Sequence, residues 1–362
     1  MTASLEFRKQ LNESPVPAAR RAEILADPGF GKYFSDHMVT VTWTPEQGWH
    51  DATLKPYGPL TIDPATAVLH YAQEIFEGLK AYRREDGSIW TFRPEANAAR
   101  FQRSAHRMAL PELPAEDFLT ALDTLVSVDR DWVPAGGETS LYVRPFMFAS
   151  EVFLGVRAAR EVTFSVIASP AGAYFSKGVK PVSIWLSQEY TRAAVGGTGA
   201  AKCGGNYAGS LLAQQEASEH GCDQVVFLDA VEHRWVEELG GMNLYFVYDD
   251  GQIVTPELGT ILEGITRHAV QVIASDMGHK VEERRISIDE WRDSAHSGRI
   301  TEVFACGTAA VLTPVGSLRS PEGEVVMGDG GAGPVTMAIR EKLLDIQYGR
   351  AEDGYGWMHK VC

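Results

Sequence analysis

The stretch Gly196-Gly197-Thr198-Gly199-Ala200-Ala201-Lys202-Cys203-Gly204-Gly205-Asn206-Tyr207-Ala208 sets one lysine among side chains that are almost all small. Behind it, Asn206, a strong N-cap residue, opens a helical pattern of Ala208, Leu211, Leu212, Gln215 and Ala217 that ends at Gly221. The chain is therefore constrained here to a tight loop leading into a helix, with Lys202 on the loop. Small neighbours let a bulky partner approach the backbone and leave the amine room to move.

Three uses of such a lysine compete. A solvated lysine on a flexible glycine loop needs no further explanation. A nucleotide phosphate loop requires glycine directly before the lysine and a hydroxyl residue directly after it. Ala201 and Cys203 stand at those places, so both requirements fail. A Schiff-base lysine, whose amine condenses with a carbonyl, needs open space around it. Spacing alone does not choose between the first use and the third.

The rest of the chain reads as a two-domain α+β protein. At 362 residues it exceeds what one small core usually takes. Residues 1 to about 36 read as an irregular arm. Met38–Trp43 is strand-like, Asp86-Gly87 is a hairpin turn, and Pro94 starts a helix carrying Ala98, Phe101, Ala105 and Met108 inward. A second helix covers about 115–132, and strands follow at 140–149 and 161–168. The turn-rich run from Ser169 to Gly178 is the candidate boundary. It gives a domain over 1–170, a linker over 171–188 and a domain over 189–362. The second half mixes strands with helices at 206–220, 264–277, 287–296 and 334–346, too irregularly for an alternating βα barrel. No G-x-G-x-x-G follows a strand, which removes the usual dinucleotide fingerprint.

A net charge of −15 without a basic cluster argues against nucleic acid and anionic membranes. No apolar run approaches a membrane span, and no signal-peptide core stands at the N-terminus. The four cysteines form no C-x-x-C pair, so neither a disulfide scaffold nor a zinc site is expected, and a reducing cytoplasm is the simplest location. Two places suit a small anion. Leu262-Glu263-Gly264-Ile265-Thr266 opens a helix, where backbone N–H groups point outward. Cys306-Gly307-Thr308-Ala309 ends a strand with small residues that let a ligand reach the backbone.

Taken together, these stretches resemble the branched-chain amino acid aminotransferases, pyridoxal-phosphate (PLP) enzymes of fold type IV. The likeness rests on Lys202-Cys203-Gly204-Gly205-Asn206-Tyr207-Ala208, Phe34-Ser35-Asp36-His37-Met38, Tyr57-Gly58-Pro59-Leu60 and Leu69-His70-Tyr71. It continues through Ile75-Phe76-Glu77-Gly78-Leu79-Lys80-Ala81-Tyr82, Leu141-Tyr142-Val143-Arg144-Pro145 and Gly172-Ala173-Tyr174-Phe175. It ends with Glu237-Glu238-Leu239-Gly240-Gly241-Met242-Asn243, Leu262-Glu263-Gly264-Ile265-Thr266-Arg267 and Gly307-Thr308-Ala309. The resemblance implies a small α/β N-terminal domain and a larger pseudo-barrel C-terminal domain of the D-amino acid aminotransferase type. It implies reversible ping-pong transamination of leucine, isoleucine and valine with 2-oxoglutarate.

By the same resemblance, Lys202 would hold PLP covalently and shuttle the substrate proton. Tyr207 would bond the cofactor's phenolate oxygen. Glu238 would pair with its ring nitrogen, raising that nitrogen's pKa. Arg100, Gly264, Ile265, Thr266 and Thr308 would form the phosphate cup. Phe30, Tyr71, Phe76, Tyr142, Tyr174, Gly241, Thr308 and Ala309 would line the substrate pocket. Arg144 would receive the second carboxylate of glutamate. A loop at Leu154-Gly155-Val156, from the partner subunit, would close the pocket, which implies a homodimer. The redox pair of animal members is replaced here by Ala310 and Thr313, as in bacterial members. Other fold type IV enzymes, a D-amino acid aminotransferase or an aminodeoxychorismate lyase, are the nearest alternatives. A non-catalytic phosphate or nucleotide binder is a distant one.

Overall fold

The computed structural model describes residues 4–173 and 178–362. The chain divides into two compact units. The first comprises residues 1–176, 201–204 and 346–362; the second comprises 177–200 and 205–345.

In the first unit, β1 (Arg8–Lys9), α1 (Ala18–Ala26), β2 (His37–Thr44), β3 (Gly48–Pro56), α2 (Val68–Tyr71), β4 (Glu74–Phe76), β5 (Leu79–Arg83) and β6 (Ile89–Phe92) come first. They are followed by α3 (Pro94–Arg107), α4 (Ala115–Val128), β7 (Ser140–Ala149) and β8 (Val162–Ala171). The sheet runs β1-β3-β2-β8-β7-β5-β6 and ends on the C-terminal strand Met358–Lys360, with β4 paired to β7. Its hairpin β5–β6 turns at Gly87, whose φ of 79° is one that glycine adopts without strain. Helix α3 has Pro94 in its first turn, Glu95 beside it, and His106 and Arg107 in its last turn, each suited to the helix dipole. Its face of Ala98, Phe101 and Ala105 is buried against α4 and the sheet. Phe101, Phe118 and Phe164 meet there with ring centroids 5.3 to 6.2 Å apart.

The second unit contains β9 (Val182–Leu186), α5 (Gly204–Ala208, whose first residue counts with the first unit), α6 (Leu211–Glu219), β10 (Gln224–Leu228), β11 (Val236–Leu239), β12 (Met242–Tyr248) and β13 (Ile253–Thr255). It continues with α7 (Ile265–Asp276), β14 (Val281–Glu283), α8 (Ile288–His296), β15 (Ile300–Gly307), β16 (Val311–Ser320), β17 (Gly323–Val326) and α9 (Pro334–Tyr348, of which 346–348 count with the first unit). The strand order β11-β10-β9-β16-β15-β12 returns to its start because β12 also pairs with β11. That ring is the pseudo-barrel. Its strands are largely buried, β11 at every position, as a closed sheet requires.

Three expectations need correction. The arm carries the helix α1, whose Ile24 packs into the first core. The helix expected over 206–220 is two helices, broken at Gly209 and Ser210. Asn206 is not its N-cap: it lies buried within α5, where its side chain bonds the backbone carbonyl and hydroxyl of Thr198, at 2.9 and 2.7 Å. A single linker over 171–188 was expected to part the domains. Instead, residues 201–204 and 346–362 count with the first unit, which holds the larger share of the chain. The cause is local: Phe76 donates its N–H to the Lys202 carbonyl at 2.9 Å, Cys203 sits in the first core, and the C-terminal strand pairs with β6.

Candidate active site

In the first unit the lysine segment is held at three points. The N–H of Lys202 donates to Ser104 Oγ on α3 at 3.0 Å, its carbonyl accepts from Phe76, and the N–H of Gly204 donates to Glu74 Oε1. The lysine is thus fixed by backbone bonds while its side chain stays partly buried. Nζ lies 4.9 Å from the Phe76 ring centroid. Burial, and next the charge of Arg100, lower the amine's pKa to about 8, with the Glu77 carboxylate working in the opposite direction.

Arg100, which could have been a solvated residue on a surface helix, is 5% exposed. Its Nε and Nη2 grip Glu77 Oε1 and Oε2 at 2.7 and 2.8 Å, a planar two-bond fork. Glu77 is fully buried and also accepts from Asn97 Nδ2 at 2.7 Å and from the Gly78 N–H at 3.2 Å. Burial pushes its carboxyl up, but Arg100, Lys202 and Asn97 outweigh that and leave it below the usual range.

Tyr142, Arg144 and Phe30 form the neighbouring wall. Arg144 Nη2 donates to the Tyr142 hydroxyl at 3.0 Å, and its guanidinium lies 4.7 Å over the Phe76 ring. Phe30 meets Tyr142 edge-on at 5.1 Å. Phe30, Tyr142 and Arg144, with Phe34 and Ile167, line a cavity of about 220 Å³. Gly78 is required beside it, since a Cβ there would stand 2.0 Å from the Tyr142 hydroxyl. The Tyr71 hydroxyl donates to the carbonyl of Leu154. Val156, on the same loop, is 89% exposed. Tyr174 lies outside the described residues.

In the second unit, successive residues of β11 face opposite ways. Glu237 accepts from the Thr260 hydroxyl, and burial raises its pKa. Glu238, almost wholly buried, accepts from the Leu262 N–H at 2.7 Å and stands 3.0 Å from Arg192 Nη1. The Arg192 guanidinium in turn lies 5.8 Å from the Tyr207 ring centroid. Gly241 closes the group, because a Cβ there would come within 3.2 Å of that ring. The Leu262 carbonyl accepts from Asn243 Nδ2 at 3.1 Å, which ties Glu238 to the start of α7. Gly264 is the N-cap of α7, and a Cβ on it would fall 2.1 Å from Asn243 Oδ1. Ile265 and the buried Thr266 form the first turn, where the helix dipole favours an anion. Thr308 and Ala309 are half-buried in the turn between β15 and β16. Cys306 before them is buried, which pushes its thiol up to about 12.

Sequence reading missed the supporting residues Glu74, Glu77, Asn97, Ser104, Arg192 and Asn243. Glu77 carried a signal: a carboxylate between Ile75-Phe76 and Leu79, in a run this apolar, must find a cation. Arg192 carried none, since it reaches Glu238 from an irregular segment.

Residues 74–318 match the family model "Amino-transferase class IV", and the chain belongs to that family. Within it, the chain is 61% identical to a probable branched-chain-amino-acid aminotransferase of Streptomyces coelicolor, over 100% of this chain and 99% of that one. It is 59% identical to the branched-chain-amino-acid aminotransferase of Mycolicibacterium smegmatis, over 99% and 98%. Among solved structures, the Escherichia coli branched-chain amino acid aminotransferase matches with a TM-score of 0.74 at 28% identity, covering 89% of this chain and 99% of that one. The T.th. branched-chain amino acid aminotransferase, solved with pyridoxamine 5'-phosphate, matches at 0.74 and 31%, covering 89% and 98%. Among the described residues no helix is long and apolar enough to cross a membrane, and no cluster of side chains could hold a metal ion.

Proposed function

We propose that this chain is a PLP-dependent branched-chain-amino-acid aminotransferase, exchanging the amino group between L-leucine, L-isoleucine or L-valine and 2-oxoglutarate. The observation that carries it is the Lys202 amine, fixed by its backbone beside Arg100 and Glu77 with a pKa brought to about 8. The names of the full-length relatives favour this reading over a D-amino acid aminotransferase or a lyase. The residues present fit the cofactor. A buried carboxylate, Glu238, suits a protonated ring nitrogen. Arg100, the first turn of α7 at Gly264, Ile265 and Thr266, and Thr308 suit a phosphate.

Bound, PLP supplies an aldehyde and an electron-withdrawing ring. The chain's residues supply the rest. With a pKa near 8, Lys202 keeps a useful neutral fraction at physiological pH, so Nζ can attack a carbonyl and later carry a proton. Tyr207 would help to hold the cofactor through its hydroxyl. Phe30, Tyr71, Phe76, Tyr142 and Gly241 favour a branched apolar side chain, while Thr308 and Ala309 take the α-carboxylate. Arg144, with the Tyr142 hydroxyl already on Nη2, receives the distal carboxylate of glutamate. A homodimer, in which the loop Leu154-Gly155-Val156 closes the partner's pocket, accounts for a valine left 89% exposed. Four free cysteines suit a reducing cytoplasm.

The test is an amino-donor assay with 2-oxoglutarate, together with borohydride reduction and mapping of the label. L-leucine turnover and label on Lys202 are expected. Activity confined to D-alanine, or label elsewhere, would overturn the reading.

A further inference from the structure

We propose that Glu77 is a positioning residue for the phosphate of the cofactor: it locks one edge of the Arg100 guanidinium and so aims the opposite edge. The inference rests on the proposed cofactor reading and goes beyond it, since it concerns a side chain that would not touch the cofactor.

The geometry is that of a clamp within a clamp. A guanidinium can offer two parallel N–H bonds along an edge. In Arg100 the Nε–Nη2 edge is committed to Glu77 at 2.7 and 2.8 Å, which turns Nη1 away from the carboxylate. Glu77 cannot swing, because Asn97 Nδ2 and the Gly78 N–H hold Oε2. The two side chains are 0% and 5% exposed, so water does not compete for these bonds.

Charge gives Glu77 a second task. Arg100 and Lys202 are near enough for Arg100 to depress the lysine's pKa, and two cations so placed without an anion would repel. Glu77 offsets that repulsion while leaving Arg100 cationic. A glutamine at the same place would keep the shape but lose both the charge and half of the fork.

The experiment uses the full-length apo protein and two probes, PLP and pyridoxal, which differ only by the phosphate. Affinities are read by absorbance titration. In Glu77→Gln, affinity for PLP should fall about tenfold while affinity for pyridoxal changes less than about twofold. Glu77→Asp, which restores the charge on a shorter stem, should recover part of the difference. Equal loss for both probes would mean that Glu77 only supports the fold, and no loss for either would mean that it aims nothing; both outcomes overturn the proposal. Should Glu77→Gln not fold, Asn97→Ala carries the test. It leaves the ion pair but removes one of the bonds that hold Oε2, and should shift the PLP-to-pyridoxal ratio about two- to threefold. An unchanged ratio there overturns the proposal. A wild-type protein that binds neither probe overturns the cofactor reading instead.

Discussion

The two units each bury an arginine against a glutamate, and they do it in opposite senses. In the first, Glu77 grips Arg100 through a two-bond fork and is itself pinned by Asn97 and Gly78. In the second, Arg192 Nη1 stands 3.0 Å from Glu238 Oε2 without being aligned as a hydrogen bond, while the Leu262 N–H holds Oε1. A forked pair spends the carboxylate and orients the cation. An unaligned pair orients its arginine less strictly. On the proposed function, the group that serves the cofactor is the arginine in one unit and the glutamate in the other.

Four measurements would break or sharpen that contrast. The largest effect is expected at the amine beside the fork. Lys202→Ala should lower turnover of L-leucine by at least about 10²–10⁴-fold, measured in single turnover, since proton transfer by a positioned group contributes on that order. Next comes stability. Glu77→Ala should cost about 3–5 kcal/mol in urea unfolding, because it breaks a two-bond fork on a buried guanidinium, whereas Glu238→Ala, which removes an unaligned contact to Arg192, should cost less. Equal losses would erase the distinction between the fork and the unaligned pair. A third test concerns Arg144, whose Nη2 donates to the Tyr142 hydroxyl. Arg144→Ala should raise KM for 2-oxoglutarate about tenfold, the worth of one charge-assisted bond, and leave KM for L-leucine within about twofold.

The smallest effect is a pH slope. The folded amine of Lys202 titrates near 8, below an unfolded lysine, so the unfolded chain binds more protons between about pH 8 and 10.5. Stability of the apo protein should therefore rise with pH across that window, with the penalty fully present below it. Comparing urea midpoints at pH 7.5 and 9.5 should show the rise, and Lys202→Met should remove roughly 1 kcal/mol of it, given the partial exposure.

What could be read in the sequence was what repeats a local rule. Pro94 and the Ala98–Phe101–Ala105 spacing placed α3, Asp86-Gly87 placed a hairpin, and Gly221 marked the end of α6 with a φ of 69°. The residues around Lys202 were legible because their order spells a family motif. The supports were not. Ser104, Asn97 and Glu77 meet the lysine segment and Arg100 across separations that no window of sequence spans. Asn206 misled for a physical reason: the oxygen that makes asparagine a good cap can accept from other donors, and here it accepts from the Thr198 hydroxyl while Nδ2 donates to the Thr198 carbonyl. Arm residues Ala18–Ala26 form a helix because the segment is rich in alanine and Ile24 has a core to enter.

The interleaving of residues 201–204 with the first unit has a consequence for anyone dissecting the gene. Severing the polypeptide once, at 176/177, would leave Lys202 on the fragment whose fold it does not belong to, together with the closing C-terminal strand. Neither half would be self-sufficient. Reconstitution would have to thread a tetrapeptide and a tail back into their host, so fragment complementation should be slow and circular permutation the more forgiving route.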